Sequence, residues 1–205
     1  MKIYAVADIH GAQYRINEAY EIIKKYSPDV TCVCGDITQF GPGDIAHVLL
    51  DQLPGPVFVV TGNIDTADVN DGIRKSHAED IHQSRVEFKN VSFLGINGVS
   101  DLETKRFIQN PGRSDLFDHL DVLISHVPPH GFQDTVFLGK HAGSKTILEF
   151  VEKWKPRLVL CGHIHENPGF SRTDNTLIVN CSMGKRGKGA LINIDEDISV
   201  NMLDY

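Results

Sequence analysis

The sequence lacks any apolar segment long enough to cross a membrane. A membrane-spanning helix needs about 18 or more consecutive, mostly apolar residues. No run in these 205 residues approaches that length. Residues 1–7 lead directly into a strand-like segment, so we expect no cleavable leader. We therefore expect no membrane partner and a cytoplasmic location.

Cysteine is scarce, with four residues in the chain, and none of them forms a CxxC pair. This arrangement lacks the paired spacing of a structural zinc site and gives no sign of a disulfide framework. Three of the four lie in or beside apolar, strand-like runs, so we expect buried and reduced thiols. The four residues are Cys32, Cys34, Cys161 and Cys181.

Basic residues are outnumbered, with 20 Lys and Arg against 27 Asp and Glu, for a net charge of −7. A surface for duplex nucleic acid usually needs clustered Lys and Arg, so we expect no duplex nucleic acid as a partner. The basic cluster at residues 185–188 is better explained as a solvated turn. A small anionic substrate remains compatible, because bound metal ions can reverse the local electrostatic field.

The composition, with 41% hydrophobic and 23% charged residues, is that of an ordinary globular protein. Its length suits a single domain over residues 1–205. Short and nearly continuous apolar runs predict strands that are covered on both faces. These runs are residues 3–7, 30–34, 57–61, 122–125 and 158–161.

Helical periodicity appears between several of these runs. Residues 12–26 carry apolar side chains at helical spacing, a second stripe precedes Pro54, and Ser144 is a suitable N-cap for a third helix. Further strand-like segments are joined by short turns, and they are residues 85–88, 91–96, 176–180, 190–194 and 198–203. The pattern predicts an α/β fold, mixed with α+β features, in which two mixed sheets pack face to face with helices outside.

Each of the five apolar runs is followed by Asp, Asn or His. In open α/β sheets, ligands bind beyond the carboxyl ends of the strands, so we expect these side chains to converge in one crevice. A single Asp or His at such a place is commonly a turn or cap residue, but an ordered set after five strands favours a metal site. The candidate metal ligands are Asp8, His10, Asp36, Asn63, His126, His163 and His165.

The spacing of these residues supports a metal site. Asp8 and His10 are two positions apart, as are His163 and His165, so each pair can point to the same side of an extended segment. Glycine directly before two of the other candidates allows the backbone to approach closely. Mixed carboxylate, imidazole and amide ligands suit divalent Mn, Fe, Co, Ni or Zn better than a calcium cage.

The motifs D-x-H, G-D, G-N, an isolated H and G-H-x-H follow one another over most of the chain. As an ordered set they resemble the calcineurin-like metallophosphoesterase family, in its phosphodiesterase-like branch. The resemblance implies a four-layer αββα sandwich and two divalent metal ions that activate a hydroxide. It implies one metal held by Asp8, His10, Asp36 and His165. It implies a second metal held by Asp36, Asn63, His126 and His163.

The chain departs from the family pattern after the G-N motif. Many members carry a His there that assists the leaving group, whereas this chain has Ile64, which cannot donate a proton. General acid catalysis is typically worth about 10² to 10⁴ in rate, so poor leaving groups should be penalised. About +4 from two divalent ions, −2 from Asp8 and Asp36 and −1 from hydroxide leave about +1, which suits a singly charged phosphodiester. We therefore predict a phosphodiesterase, or an esterase for activated phosphate esters.

Two histidines of the long loop after His126 are further candidates for the active site. His141 opens a predicted helix whose free N–H groups favour an anion, and we predict catalytic and substrate-binding roles for it. Catalytic roles are also predicted for Asn63 and His126, and substrate binding for Asn63 and His130. The alternatives are a nuclease acting on short oligonucleotides and a non-catalytic metal-binding scaffold of the same fold. The histidines expected to be structural or on the surface are His47, His77, His82 and His119.

Overall fold

The computed structural model describes residues 1–185 and 187–203. In this part of the chain, twelve strands form two six-stranded sheets. The first sheet contains β1 (Lys2–Val6), β2 (Val30–Cys34), β3 (Val57–Val60), β4 (Glu79–Asp80), β11 (Ala190–Ile194) and β12 (Ile198–Met202). The second sheet contains β5 (Arg85–Phe88), β6 (Val91–Ile96), β7 (Val122–Ser125), β8 (Leu158–Cys161), β9 (Gly169–Arg172) and β10 (Leu177–Asn180).

Both sheets are mixed, with parallel strands at their centres. The order in the first sheet is β12-β11-β1-β2-β3-β4, and β1, β2 and β3 run parallel. The order in the second sheet is β5-β6-β7-β8-β10-β9, with β6, β7, β8 and β10 parallel. Parallel neighbours end at the same edge of a sheet, so the residues that follow β1, β2 and β3 come close together, as do those that follow β7 and β8.

The alternation of side chains along β1 shows how the layers form. Ile3 and Ala5 face the second sheet, whereas Tyr4 and Val6 face the helices on the other side of the first sheet. All four are fully buried, as expected for a strand covered on both faces. Phe93 of β6 lies in the same core between the sheets.

Helices cover the outer face of each sheet. The α-helices described are α1 (Gln13–Tyr26), α2 (Gly43–Leu50), α3 (Val69–Lys75), α4 (Asp101–Ile108) and α5 (Lys145–Trp154). The first three pack on the first sheet, and α4 and α5 pack on the second. The predicted N-cap of α5 is confirmed, because the Ser144 hydroxyl accepts a hydrogen bond from the Ile147 N–H at 3.2 Å. The layers follow the order helix, sheet, sheet, helix, which confirms the four-layer αββα sandwich.

All four cysteines are buried free thiols, as the sequence predicts. The Sγ atoms of Cys34 and Cys181 lie 3.7 Å apart in the core between the sheets. Burial raises the pKa of the Cys32, Cys34 and Cys161 thiols well above the usual range. The thiolate form that reacts or binds metal is therefore disfavoured.

Several elements were not predicted from the sequence. Helix α4 buries only Thr104 and Phe107, which is too sparse a stripe to indicate a helix. Strand β9 lies at the edge of its sheet and leaves Phe170 half exposed. None of the helices within residues 1–185 and 187–203 combines the length and apolar character needed to span a bilayer. The predicted basic turn includes Arg186, which lies outside the described residues, while the neighbouring Lys185 is exposed.

Candidate metal centre

The backbone beyond β1 and β2 is shaped to present side chains. The Asp8 N–H donates to the Gly35 carbonyl at 3.0 Å, and the His10 N–H donates to the Asp36 carbonyl at 2.9 Å. These bonds keep the two segments side by side after the strands end. Asp8, His10, Asp36 and His163 all have left-handed backbone conformations, with φ between 52° and 68°. Such conformations are uncommon outside glycine and concentrate at functional sites.

One group of candidate ligands comprises Asp8, His10 and His165, whose ligand atoms lie within 4.8 Å of one another. The Nε2 atoms of His10 and His165 are 3.1 Å apart, and His165 Nε2 is 3.5 Å from Asp8 Oδ1. Asp8 is fully buried, and its carboxylate accepts a hydrogen bond from the His163 N–H at 3.1 Å. This group could hold one cation.

A second group comprises Asp36, His126 and His163, again with ligand atoms within 4.8 Å of one another. His126 is fully buried, and its Nδ1 lies 2.8 Å from the Cys34 carbonyl oxygen. A carbonyl only accepts, so Nδ1 carries the hydrogen and Nε2 keeps its lone pair. That Nε2 lies 2.8 Å from Asn63 Oδ1 and 3.5 Å from Asp36 Oδ1. The structure thereby brings Asn63 to the same group.

Glycine is required next to these ligands because no space remains for a side chain. A Cβ on Gly35, whose φ is 91°, would lie 2.5 Å from His126 Nδ1. A Cβ on Gly62 would overlap the carboxylate oxygen and the backbone nitrogen of Asp36. The glycines of the G-D and G-N motifs thus allow the ends of β2 and β3 to approach His126 and Asp36.

Asp65 organises the loops that carry the ligands, a role not assigned from the sequence. Its Oδ1 accepts from the Thr38 N–H at 2.8 Å, and its Oδ2 accepts from the Gly62 N–H at 2.9 Å and the Ile37 N–H at 3.1 Å. One buried carboxylate therefore ties the loop after β2 to the loop after β3. Its position two residues after the candidate ligand Asn63 was the sequence feature that could have indicated this role.

Arg15 supports the loop after β1 and was also missed. Its guanidinium is buried and donates to the carbonyls of Asp8 at 2.5 Å and Gly184 at 2.7 Å. Gly184 in turn packs against the His165 ring, where a Cβ would lie 2.5 Å from Cγ. Arg15 lies one residue before the apolar stripe of α1, so the sequence pattern alone gave it no special position.

The electrostatics of the site favour neutral imidazoles at His10 and His163 and oppose ionisation of Asp36. Burial raises the pKa of Asp36 to about 6, and burial lowers the pKa of His163 to about 4. Burial also lowers the pKa of His10, whereas the hydrogen bond with Asp8 raises that of His165. Burial opposes ionisation of Asp8, but contacts with His165 and His126 outweigh it and lower its pKa. Bound cations would relieve the cost of the buried carboxylates.

The raised pKa of Asp36 predicts that the stability of the metal-free protein depends on pH. Its folded pKa of about 6 lies above the unfolded value, so the folded state binds more protons and loses stability as pH rises from about 4 to about 6. Asp36→Asn removes that loss, and its stability advantage should grow over this range by roughly 2 kcal/mol. Thermal unfolding of both proteins after chelator treatment measures the difference, and an advantage independent of pH would contradict the prediction.

The predicted substrate-binding histidines lie outside both ligand groups. The rings of His130 and His141 pack edge to face with centroids 5.5 Å apart, and both line a cleft of about 650 Å³. Fully buried Asp134 accepts from His141 Nδ1 at 2.6 Å. Burial works against ionisation of Asp134, but bonds from the Gly131 N–H and His141 hold its pKa below the usual range. No sequence signal pointed to Asp134.

The other histidines have the structural or surface positions that were predicted. His47 and His77 both pair with Asp51, at 3.0 Å and 3.1 Å. His82 accepts from the Asn97 N–H at 3.1 Å, and the side chain of His119 is 93% exposed. None of these four belongs to the two ligand groups found among residues 1–185 and 187–203.

The chain is similar to proteins of one family and one fold. Residues 1–167 match the family model described as calcineurin-like phosphoesterase. The chain is 34% identical over 197 residues to the uncharacterized protein MJ1162 of Methanocaldococcus jannaschii, which covers 89% of this chain and 88% of that protein.

Solved structures share the architecture at low identity. The structure of the Thermus thermophilus protein TT1561 has a TM-score of 0.75 at 13% identity and covers 98% of each chain. A structure described as a novel archaeal phosphodiesterase has a TM-score of 0.56 at 16% identity, covering 99% of this chain and 100% of that one. At such identities the likeness shows the fold. The match to the family model spans most of the sequence, and the protein therefore belongs to the calcineurin-like phosphoesterase family.

Proposed function

We propose that the protein hydrolyses small phosphodiesters with the help of two divalent cations. The observation that carries the choice of a diester is the presence of two carboxylates, Asp8 and Asp36, in the two ligand groups, because they leave about one positive charge on two divalent cations and a hydroxide. Ile64 follows Asn63, where the family resemblance implies a proton-donating His. The Ile64 backbone N–H donates to Asp36 Oδ1 at 3.1 Å, so this residue lies beside the ligand group, yet its side chain has no proton to give. The side chain at position 64 therefore gives no assistance to the leaving group.

The donor set fits borderline divalent ions such as Mn, Fe, Co, Ni or Zn. One ion would be held by Asp8, His10 and His165 and the other by Asn63, His126 and His163, with Asp36 contributing to both. When bound, such a pair supplies an activated water and positive charge to the phosphoryl oxygens. Nitrogen ligands from neutral imidazoles, as found for His163, are suited to these metals.

Contacts among the protein's own residues fix the proposed ligands, and the charges of those ligands set the net charge that a substrate would meet. The Cys34 carbonyl accepts from His126 Nδ1 and so fixes the ring. The His126 Nε2 lone pair and the Oδ1 atom of exposed Asn63 lie 2.8 Å apart, so one cation could accept electron pairs from both. Arg15 is engaged by backbone carbonyls and is not free to contact substrate. Asp8 and Asp36 offset part of the charge of two divalent cations, and the remainder suits one negative charge on the substrate. The overall charge of −7 favours small substrates over long nucleic acids.

Hydrolysis of a diester and a monoester tests the proposal. We expect chelator-treated protein to cleave bis-p-nitrophenyl phosphate only after Mn, Ni, Zn or Mg is restored, and to cleave p-nitrophenyl phosphate more slowly. Asn63→Ala should lose at least about 10-fold of the restored rate, because it removes a proposed ligand. Asn175→Ala, which changes an exposed turn residue, is the matched control and should keep the rate.

Other outcomes identify other functions. A faster rate on the monoester would overturn the preference for diesters. Hydrolysis of short oligonucleotides in preference to both aryl esters would favour a nuclease. The absence of hydrolysis with every metal, in protein that still binds metal, would favour a scaffold that has kept the fold and the ligands without catalysis.

A further inference from the structure

The 127–143 loop, which joins β7 to α5, contains a buried aspartate, Asp134, that is hydrogen-bonded to His141. Asp134 is fully buried, and its Oδ2 accepts from the Gly131 N–H at 2.9 Å and the Gly143 N–H at 3.0 Å. Its other oxygen is 2.6 Å from His141 Nδ1. A carboxylate fixed in this way sets the ring orientation of a histidine and the atom that carries its hydrogen.

His141 is the part of this arrangement that reaches solvent. Its side chain is 46% exposed, and the ring lines the cleft of about 650 Å³. Because Nδ1 is bonded to the buried carboxylate, the opposite edge of the ring, with Nε2, is turned away from Asp134 and is available to the contents of the cleft. His130 lines the same cleft, with its Nδ1 3.7 Å from Asp134 Oδ2.

The cleft adjoins the candidate metal centre. It is lined by Ser125 and Val127, which flank the ligand His126, and by Gly98. A Cβ on Gly98 would lie 2.9 Å from the Cγ atom of His126 and 3.1 Å from the backbone nitrogen of Asn63. Gly98 therefore places the lining of the cleft directly against these two proposed ligands, with no side chain in between.

The loop is also fixed to the segment that carries the other histidine ligands. Asn180 is fully buried, and its amide donates to the Ile164 carbonyl at 2.8 Å and the Gln133 carbonyl at 3.3 Å. The Thr135 N–H donates to Asn167 Oδ1 at 3.1 Å. Ile164 lies between the candidate ligands His163 and His165. The position of His141 relative to the centre is thus set by hydrogen bonds on both sides of Asp134.

We propose that His141 contacts the leaving-group oxygen of a substrate bound at the metal centre and gives it a proton from Nε2, with Asp134 as the positioning residue. The inference rests on the proposed function and supplies the donor that Ile64 cannot provide. The attacking water first releases a proton to solvent. As the oxygen of the resulting hydroxide bonds to phosphorus, the bond from phosphorus to the leaving oxygen breaks and its electron pair stays on that oxygen. The Nε2 proton completes the alcohol, and the neutral ring regains a proton from solvent.

Two diesters that differ only in the leaving group test this role, namely p-nitrophenyl methyl phosphate and phenyl methyl phosphate. Phenol is the poorer leaving group and depends more on a proton donor. His141→Gln should lower kcat for the phenyl ester by about 10² or more, and for the p-nitrophenyl ester by less than about 10-fold. Asp134→Asn should show the same selectivity with a smaller loss, and the double variant should lose no more than His141→Gln. His119→Ala, a change at an exposed histidine, is the matched control.

The outcomes separate this role from a structural one. Equal losses for both esters, or a change in KM alone, would overturn the proton-donor role of His141, and unchanged rates would exclude any role in the reaction. His141→Gln should still unfold in one cooperative transition, at a somewhat lower temperature, because buried Asp134 loses one hydrogen bond but keeps those from the Gly131 and Gly143 N–H groups. If the unaltered protein cleaves neither ester with any of the metals, the proposed function itself fails, and that result is distinct from a loss confined to the variants.

Discussion

Asp36→Asn should abolish metal-dependent hydrolysis. The family resemblance assigns Asp36 to both cations, and the structure places it with His126 and His163 in one ligand group. Changes to residues that only support metal ligands typically cost about 10- to 100-fold in affinity or activity, so loss of the shared ligand should exceed about 100-fold in kcat/KM. Steady-state hydrolysis of bis-p-nitrophenyl phosphate with saturating Mn measures the loss.

The matched control for this change is Asp174→Asn, which neutralises a carboxylate exposed in the turn before β10. This variant should keep the full rate. Asp36→Asn is expected to fold, because an amide oxygen can still accept from the Ile64 N–H. A folded Asp36→Asn protein with more than about a tenth of the original activity would contradict the assignment of Asp36 as a shared ligand.

Gly62→Ala should damage both the site and the fold through a single methyl group. The added Cβ would overlap the carboxylate and backbone nitrogen of Asp36, which has no room to withdraw because its backbone is held by the loop after β1. Overpacking of a buried site typically costs about 1 to 3 kcal/mol in the free energy of unfolding. We also expect an activity loss above about 100-fold, since Asp36 must move.

Denaturant unfolding and diester hydrolysis measure the two effects of Gly62→Ala. The matched control is Gly112→Ala, because a Cβ there meets only the Asn110 side chain at 3.4 Å, an ordinary contact. The control should change neither quantity by much. If Gly62→Ala kept normal stability and activity, the close packing of β3 against the Asp36 loop would not be needed for the site.

The central strands were predictable because the sequence carries their physical cause directly. β1, β2, β3, β7 and β8 are covered on both faces, so their burial requires unbroken apolar runs. Helix α1 shows the complementary pattern, with one apolar stripe. The elements that escaped prediction are those whose stability comes from neighbours, as for α4, which buries Phe107 against Phe117 with only two buried residues of its own. Strand β9 also owes its stability to a neighbour, because it lies at the edge of its sheet and pairs with β10.

The candidate site was predictable for a related reason. A parallel strand ends at the same edge as its neighbours, so Asp36 and Asn63 could be placed together without knowing any contact. The position of Asp134 could not be predicted, because its partners depend on the path of the 127–143 loop, and the sequence of that loop has no periodic pattern. Asp65 and Arg15 serve backbone groups of other segments, and such contacts exist only once those segments have assembled.

The two ligand groups draw on both halves of the sandwich. Asp8, His10, Asp36 and Asn63 follow strands of the first sheet, whereas His126, His163 and His165 follow strands of the second. A cation held by both sets would link the two sheets at the edge where these strands end. The proposed catalysis and the cohesion of the two halves would then depend on the same metal–ligand bonds. A small separation of the two sheets at this edge would move the ligands apart and abolish the proposed activity, while every strand and helix remained intact.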